Sequence, residues 1–144
     1  MKALTLHRPW DQLILAGHKP VENRSWSTSH RGDLLIHGGA AYDPRAETLA
    51  AAHAPDFALP DFDTSPQGIV GVVNLTGVCS DSLHSDTLAC DCGPWAFAGQ
   101  RHWQLADPRP FDTSIPCRGF QQLWTPSLDV LGHVSDLMQP TGSA

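Results

Sequence analysis

Gly17-His18-Lys19-Pro20-Val21-Glu22-Asn23-Arg24-Ser25-Trp26, with Ser29-His30-Arg31-Gly32 close behind, is where the chain passes from helix to sheet. Upstream of it Trp10, Leu13, Ile14 and Gly17 fall at i, i+3, i+4 and i+7, the spacing of one buried helical stripe. Pro9 suits the first turn of that helix, where its missing N–H costs nothing, and Gly17 suits the position just past its end. Pro20 fixes its own φ and biases Lys19 towards extended backbone, so the helix stops and a strand is expected near Val21. Side chains alternate along a strand, which puts Glu22 and Arg24 on one face and Val21 and Asn23 on the other. Lys19, in the turn just before, lies close to the Glu22 carboxylate. Two guanidinium groups (Arg24 and Arg31), an amine, a carboxylate and the Trp26 indole are the composition of a polar cleft. The pattern alone also fits a surface ion pair beside a solvated lysine, an arrangement that contributes little.

Working outward, Lys2 to Leu6 alternates weakly and reads as a first strand ending before Arg8-Pro9. Trp10 fits core packing as well as a ligand wall. Gly32 releases the chain into a short buried strand, Asp33 to His37, closed by Gly38-Gly39. His37 at its end suits either a ligand contact or a hydrogen-bonded strand edge. Asp43-Pro44 resembles an N-cap followed by proline, opening an alanine-rich helix to about His53. The proline- and aspartate-rich stretch 55–66 is expected to be a surface connection without chemistry. Gly68 to Cys79 is β-branched and nearly continuous, the mark of a central strand, and its glycines suit the bends of a small barrel. After a loop over 80–100, Arg101 to Asp107 and Cys117 to Trp124 complete the strands. Beyond Pro126 the periodicity is weak, and Pro140 to Ala144 is expected to fray.

The chain of 144 residues is expected to form one domain over 1–126 with a C-terminal tail over 127–144. With 41% apolar and 17% charged residues it has the composition of a soluble globular protein. No apolar run approaches the roughly 20 residues that span a bilayer, so no membrane role is expected. The N-terminus lacks the pattern of a secretory signal, which leads us to expect a cytoplasmic protein with its four cysteines as free thiols. Cys90-Asp91-Cys92, with Cys79 and His84 upstream, matches paired zinc knuckles poorly. Neither a metal nor a cofactor is expected. The net charge is −6, yet residues 1–31 carry +3 and residues 32–144 carry −9. An electropositive island on an acidic body focuses a short anionic ligand while repelling long nonspecific tracks.

Leu6-His7-Arg8-Pro9-Trp10, Gly17-x-Lys19-x-x-Glu22-x-Arg24-Ser25-Trp26, His30-Arg31-Gly32, the strand through His37, Gly68 to Leu75, and Arg118-Gly119 leading to Leu123-Trp124 together resemble the ASCH (activating signal cointegrator homology) domain of the PUA-like group. The resemblance implies an α+β fold, a small PUA-like β-barrel with flanking helices, and a cleft beside the first helix where Lys19, Glu22 and Arg24 meet. Members of the group are tied to RNA or DNA binding, and the first reading here is a module for nucleic acid or a modified nucleotide with Trp10, Lys19, Glu22, Arg24, Trp26, Arg31 and His37 as its expected contact residues. A bacterial branch of the group hydrolyses N4-acylcytidine nucleosides and is similar to GxKxxTxR, its catalysis attributed to the lysine, the threonine and a later glutamate. Lys19 and Arg24 match that branch, but Glu22 stands where it has threonine. No glutamate follows Glu47, so Asp81, Asp86 or Asp91 must return to the cleft if a later carboxylate is to act. If the protein is an enzyme, an amidohydrolase or ribonuclease, Lys19 and Glu22 are its catalytic pair. A nearby carboxylate keeps a lysine protonated, which favours an anchor over a base. A protein-interaction domain is the third reading.

Overall fold

The computed structural model describes residues 1–139. Its strands are β1 (Lys2–Arg8), β2 (Val21–Arg24), β3 (Gly32–Tyr42), β4 (Gly68–Cys79), β5 (Arg101–Ile115) and β6 (Leu123–Trp124); its helices are α1 (Trp10–Leu15), α2 (Arg45–His53) and α3 (Leu128–Met138). The strands form one curled sheet, a half-barrel in the order β2-β5-β4-β3-β1-β6, giving the expected α+β PUA-like architecture. β1 and β3 pair in parallel and the other neighbours are antiparallel. Shifts of register at Ile69/Gly71, Val72/Asn74 and Leu75/Gly77 curl the β4–β5 ladder, as bulges do. No described helix is long and apolar enough to cross a membrane.

Alternation divides the core between the two faces of the sheet. Leu4, Leu34, Ile36, Trp103 and Leu105 face α1 with Ile14 and Leu15, whereas Ala3, Leu35, Ile69, Val72 and Trp124 face α3 with Val134. Each fully buried aliphatic side chain contributes about 2 kcal/mol. α1 seats directly on β4, because a Cβ on Gly71 would lie 2.6 Å from Leu15 Cδ2. A third cluster, Trp10, Leu13, Ala46, Ala50 and Trp95, packs α1 against α2 and the loop before β5. Gly17 ends α1 with φ +85°, the left-handed position its place in the sequence predicts.

Four expectations need correction. Gly38-Gly39 does not close β3, which runs on to Tyr42; a Cβ at either glycine would meet Asp11 Oδ2 at 2.6 Å or Thr5 Cγ2 at 2.9 Å, so their lack of side chain serves close approach. β5 continues past Pro108 and Pro110 to Ile115, because β2 pairs only with Arg101 to Gln104 and leaves the rest an edge that tolerates proline. Of Cys117 to Trp124 only Leu123 and Trp124 pair, with β1. The weakly patterned tail forms α3, capped where Ser127 Oγ accepts from Val130 N at 3.2 Å. Its pattern is weak because Leu128 is exposed and Val134 alone is fully buried. The fraying expected at Pro140–Ala144 falls outside the described residues.

The stretch 55–66 is the surface connection expected, and Arg8 anchors it. Arg8 is 1% exposed, and its guanidinium donates to the carbonyls of Gly39 (2.8 Å), Ala40 (3.1 Å), Phe62 (2.9 Å) and Ser65 (2.8 Å). Beside it Asp11 is fully buried with Oδ1 unpartnered among the described residues; burial pushes its carboxyl up to about 6.

Replacing Arg8 with Ala leaves four carbonyls, that of Ser65 buried, without their donor and is expected to cost on the order of 3 kcal/mol in denaturant unfolding. Asp11→Asn should act the other way. The folded carboxyl titrates near 6 against 3.8 unfolded, so its burial costs nothing below about pH 4 and the full amount above about pH 6. The variant is therefore expected to be more stable at neutral pH by up to about 3 kcal/mol, with the gain vanishing near pH 4. Thermal melts across that range check both the size and the sign.

Candidate functional site

The chain reverses at Gly17, and hydrogen bonds from the amides of His18 and Lys19 to the Leu13 carbonyl, both 3.1 Å, tuck the turn under α1. Lys19 is thereby carried inward to the base of a cleft of about 1340 Å³. Trp10 at the start of α1, Lys19 in the turn and Glu22 to Arg24 of β2 form its floor. The loop before β5 supplies one wall through Phe97, and the segment from Cys117 to Gln122 supplies another.

The floor is a three-membered charge cluster. Lys19 is 1% exposed; its Nζ donates to Val21 O at 2.7 Å and to Glu22 Oε1 at 3.1 Å, with the Trp10 ring centroid 5.0 Å away. Glu22 also accepts from Asn23 N at 2.9 Å and, through Oε2, from Arg24 at 3.2 Å. Arg24 donates onward to Thr5 O at 2.9 Å, while its buried Nε has no partner among the described residues. The surface ion pair with a solvated lysine is thus excluded. Burial drags the Lys19 amine below its ordinary value, against the pull of Glu22. For Glu22 burial pushes upward, but Lys19 and then Arg24 outweigh it and hold the carboxyl below the usual range. Glu22 is therefore an anion clamped between two cations.

Around this floor the structure brings together Trp10, Lys19, Glu22, Arg24, Trp26 and His37, all of which line the cleft. Trp10 belongs to the core and the wall at once, its Nε1 donating to Asp43 Oδ2 at 2.9 Å. Trp26 stands edge-on to Trp103 with centroids 4.7 Å apart. His37 is spoken for: Nε2–H donates to Cys117 O at 2.8 Å, so Nδ1 accepts from Thr5 Oγ1 at 3.2 Å, and Thr5 in turn accepts from Trp124 Nε1 at 3.1 Å. Burial draws its pKa down, so the neutral ring that this network needs is the one present. Gly119 packs on the same ring, where a Cβ would lie 2.6 Å from His37 Cε1, which accounts for the Arg118-Gly119 pair.

Arg31 does not join them. Its guanidinium is exposed and turns to Thr28 O (2.8 Å) and His30 O (2.7 Å). Asp81, Asp86 and Asp91 do not line the cleft either. Instead the cleft gains Arg45 and Arg118, which sequence reasoning missed because each comes from a distant element. Arg45 pairs with Asp43 at 2.7 Å, a guanidinium that holds this carboxyl well below the usual range; Arg118 lies over the Phe120 ring at 5.3 Å. Asn23, expected to face away from Glu22, also lines the cleft: it accepts from Phe97 N at 2.8 Å and donates to Trp95 O at 2.9 Å, fixing the wall to β2.

The lining thus holds four cationic side chains, Lys19, Arg24, Arg45 and Arg118, against two carboxylates, Glu22 and Asp43. The model of the ASCH domain family matches residues 4–114, and the chain belongs to that family. Activating signal cointegrator 1 from Mus musculus and from Homo sapiens is in each case 54% identical over 33 residues, 23% of this chain. That match spans 6% of either relative's length. A crystal structure of a point mutant of the ZmASCH protein from Zymomonas mobilis superposes with a TM-score of 0.55 over 94% of this chain and 96% of that one. At 11% identity the likeness is one of fold.

Glu22→Gln leaves Lys19 as a buried ammonium without its carboxylate and is expected to cost about 3–5 kcal/mol near neutral pH. In that variant the folded lysine sheds its proton far more easily than the unfolded one, so unfolding binds protons and stability climbs with alkalinity. Chemical denaturation of the variant and the parent over rising pH should show the penalty shrinking. A penalty independent of pH would contradict the buried pairing.

Proposed function

We propose that the cleft binds a nucleotide unit of RNA or DNA, or a modified nucleoside. The observation that carries this reading is an excess of guanidinium and amine groups in an aromatic-walled hollow, on a chain of net charge −6. Phosphate affinity comes from such donors, and an acidic remainder disfavours extended nonspecific contact. Arg24 and Arg118 take phosphate oxygens, while Trp26 and Phe97 offer faces or edges to a splayed base. Lys19 and Glu22 present a donor and an acceptor side by side at the floor, the pair needed to read a base edge by hydrogen bonds. The family to which the chain belongs supports the same ligand class.

A second reading is hydrolysis of an N4-acylcytidine-type amide, or of RNA, with Lys19 as the reactive amine. Its support is the burial that pulls this amine below its ordinary value, the direction a proton acceptor requires. Against it stand Glu22 at the position where the hydrolytic branch has threonine, and the absence of Asp81, Asp86 and Asp91 from the lining.

Arg118 is exposed and outside the charge cluster, so Arg118→Ala is expected to leave the fold intact. It should weaken binding of a short single-stranded oligonucleotide across sequences and reduce the salt slope of the affinity by about 1. Fluorescence polarisation at several salt concentrations measures both; unchanged binding in Arg118→Ala and Arg24→Ala would defeat the proposal. Incubation with N4-acetylcytidine and with single-stranded RNA, against Lys19→Ala, is expected to yield no product. Lysine-dependent turnover would promote the second reading over the first.

A further inference from the structure

Outside the cleft's lining, and joined to its wall at Phe97, lie four groups that nothing above uses. Cys79, Cys90, Cys92 and His102 offer one ligand atom each, and these atoms all lie within 4.8 Å of one another. The spacing of the cysteines in sequence argued against a metal; the register of the sheet reverses that judgement. Cys79 is the last residue of β4 and pairs directly with His102 on β5, so two ligands come from facing strands, and the intervening loop brings Cys90 and Cys92 back over them. His102, not the upstream His84, is the nitrogen partner.

The histidine is oriented as a ligand needs. It is fully buried, and Nε2–H donates to Phe97 O at 2.7 Å, which fixes the tautomer and leaves the Nδ1 lone pair facing Cys90 Sγ at 3.2 Å. A backbone carbonyl on the second ring nitrogen is the usual outer partner of a metal-bound imidazole. Ser82, also fully buried, accepts from Ala89 N at 2.8 Å and donates to Cys90 Sγ at 3.4 Å, and Gln104 Nε2 approaches Cys92 Sγ at 3.9 Å. Both are donors suited to stabilising thiolate sulfur. All four cysteines of the chain are free thiols, so three sulfurs crowd together without a disulfide.

The geometry points to a structural zinc site of the Cys₃His type. Zinc–sulfur bonds of about 2.3 Å and a zinc–nitrogen bond of about 2.0 Å make a tetrahedron with edges of roughly 3.5–3.8 Å, inside the spread of these atoms. Four protein ligands leave no open position, so the ion is structural and not catalytic. Binding releases the thiol protons and ties the loop over 80–100 to the sheet. Because Phe97 accepts from the ligating histidine and also lines the cleft, the ion stiffens that wall from behind. Nothing about the site depends on what the cleft binds.

The test uses the full chain purified under reducing conditions without chelator. Elemental analysis should find one zinc per chain, and cobalt titrated into the metal-free protein should give the intense visible bands of a tetrahedral thiolate site. Cys90→Ser and Cys92→Ser, on the loop, should lose this stoichiometry while Cys117→Ser keeps it. Ser82→Ala is expected to lower zinc affinity about 10-fold. Circular dichroism separates a lost ligand from a lost fold, and chelation should lower the melting temperature of the parent but not of Cys90→Ser. Reduced, folded protein that takes up neither zinc nor cobalt would overturn the assignment. So would zinc retained by the Cys90→Ser/Cys92→Ser double variant, or a disulfide found among the three clustered cysteines.

Discussion

Lys19 Nζ meets Glu22 Oε1 at 3.1 Å in a place where the lysine is 1% exposed and the glutamate 7% exposed. Neither charge survives there alone, because the desolvation of an isolated ammonium or carboxylate amounts to several kcal/mol. Their pairing therefore constrains the backbone: the turn at Gly17 must deliver Lys19 inward, Pro20 must redirect the chain, and β2 must start in the phase that points Glu22 back at it. Arg24, two residues on, closes the cluster and reaches across to β1 through Thr5 O. One buried electrostatic requirement thus sets how α1, β1 and β2 meet, and the hollow they leave is the cleft.

A polar cluster of this kind is a poor way to gain stability, since well-packed apolar residues serve as well or better. What it does supply is a fixed array of donors and acceptors at the base of an open cavity. The Thr5–His37–Trp124 chain has the same character: each donor and acceptor is assigned, ring rotation is blocked, and Gly119 is pressed against the imidazole. A surface so fully committed beforehand loses little side-chain freedom when a ligand arrives. Arg45, paired with Asp43, and Arg118, over the Phe120 ring, are the exposed positive groups of the lining.

The helix stripe, the stop at Gly17-x-x-Pro20 and the whole of β4 were legible in the sequence because each is a local matter of periodicity or backbone restriction. Three kinds of feature were not. Glycines at 38 and 39 look like a terminator, whereas their role is set by Asp11 and Thr5, residues far away in sequence. β5 could not be followed through Pro108 and Pro110 without knowing that β2 pairs with only four of its residues. The island of charge in residues 1–31 was arithmetically right and spatially misleading. The buried Arg8 is consumed by four backbone carbonyls and Arg31 by its own loop, while Arg45 and Arg118 replace them at the cleft.

The stretch between β4 and β5 shows why topology must intervene between motif and function. As a string, 80–100 has no periodicity and its cysteines have no recognised spacing. Once Cys79 and His102 face each other across a ladder, the loop is a closed excursion whose ends are fixed, and the entropy lost in ordering it falls with every further tie. Gly99 N to Ser82 O at 2.8 Å and Asn23 to Trp95 and Phe97 are such ties. They reach the same residues from opposite sides: β2 holds the wall from the cleft face, and the histidine of the sulfur cluster holds Phe97 from behind. The backbone of Phe97, and with it the wall of the cleft, is held jointly by Asn23 on β2 and by His102 beyond the wall.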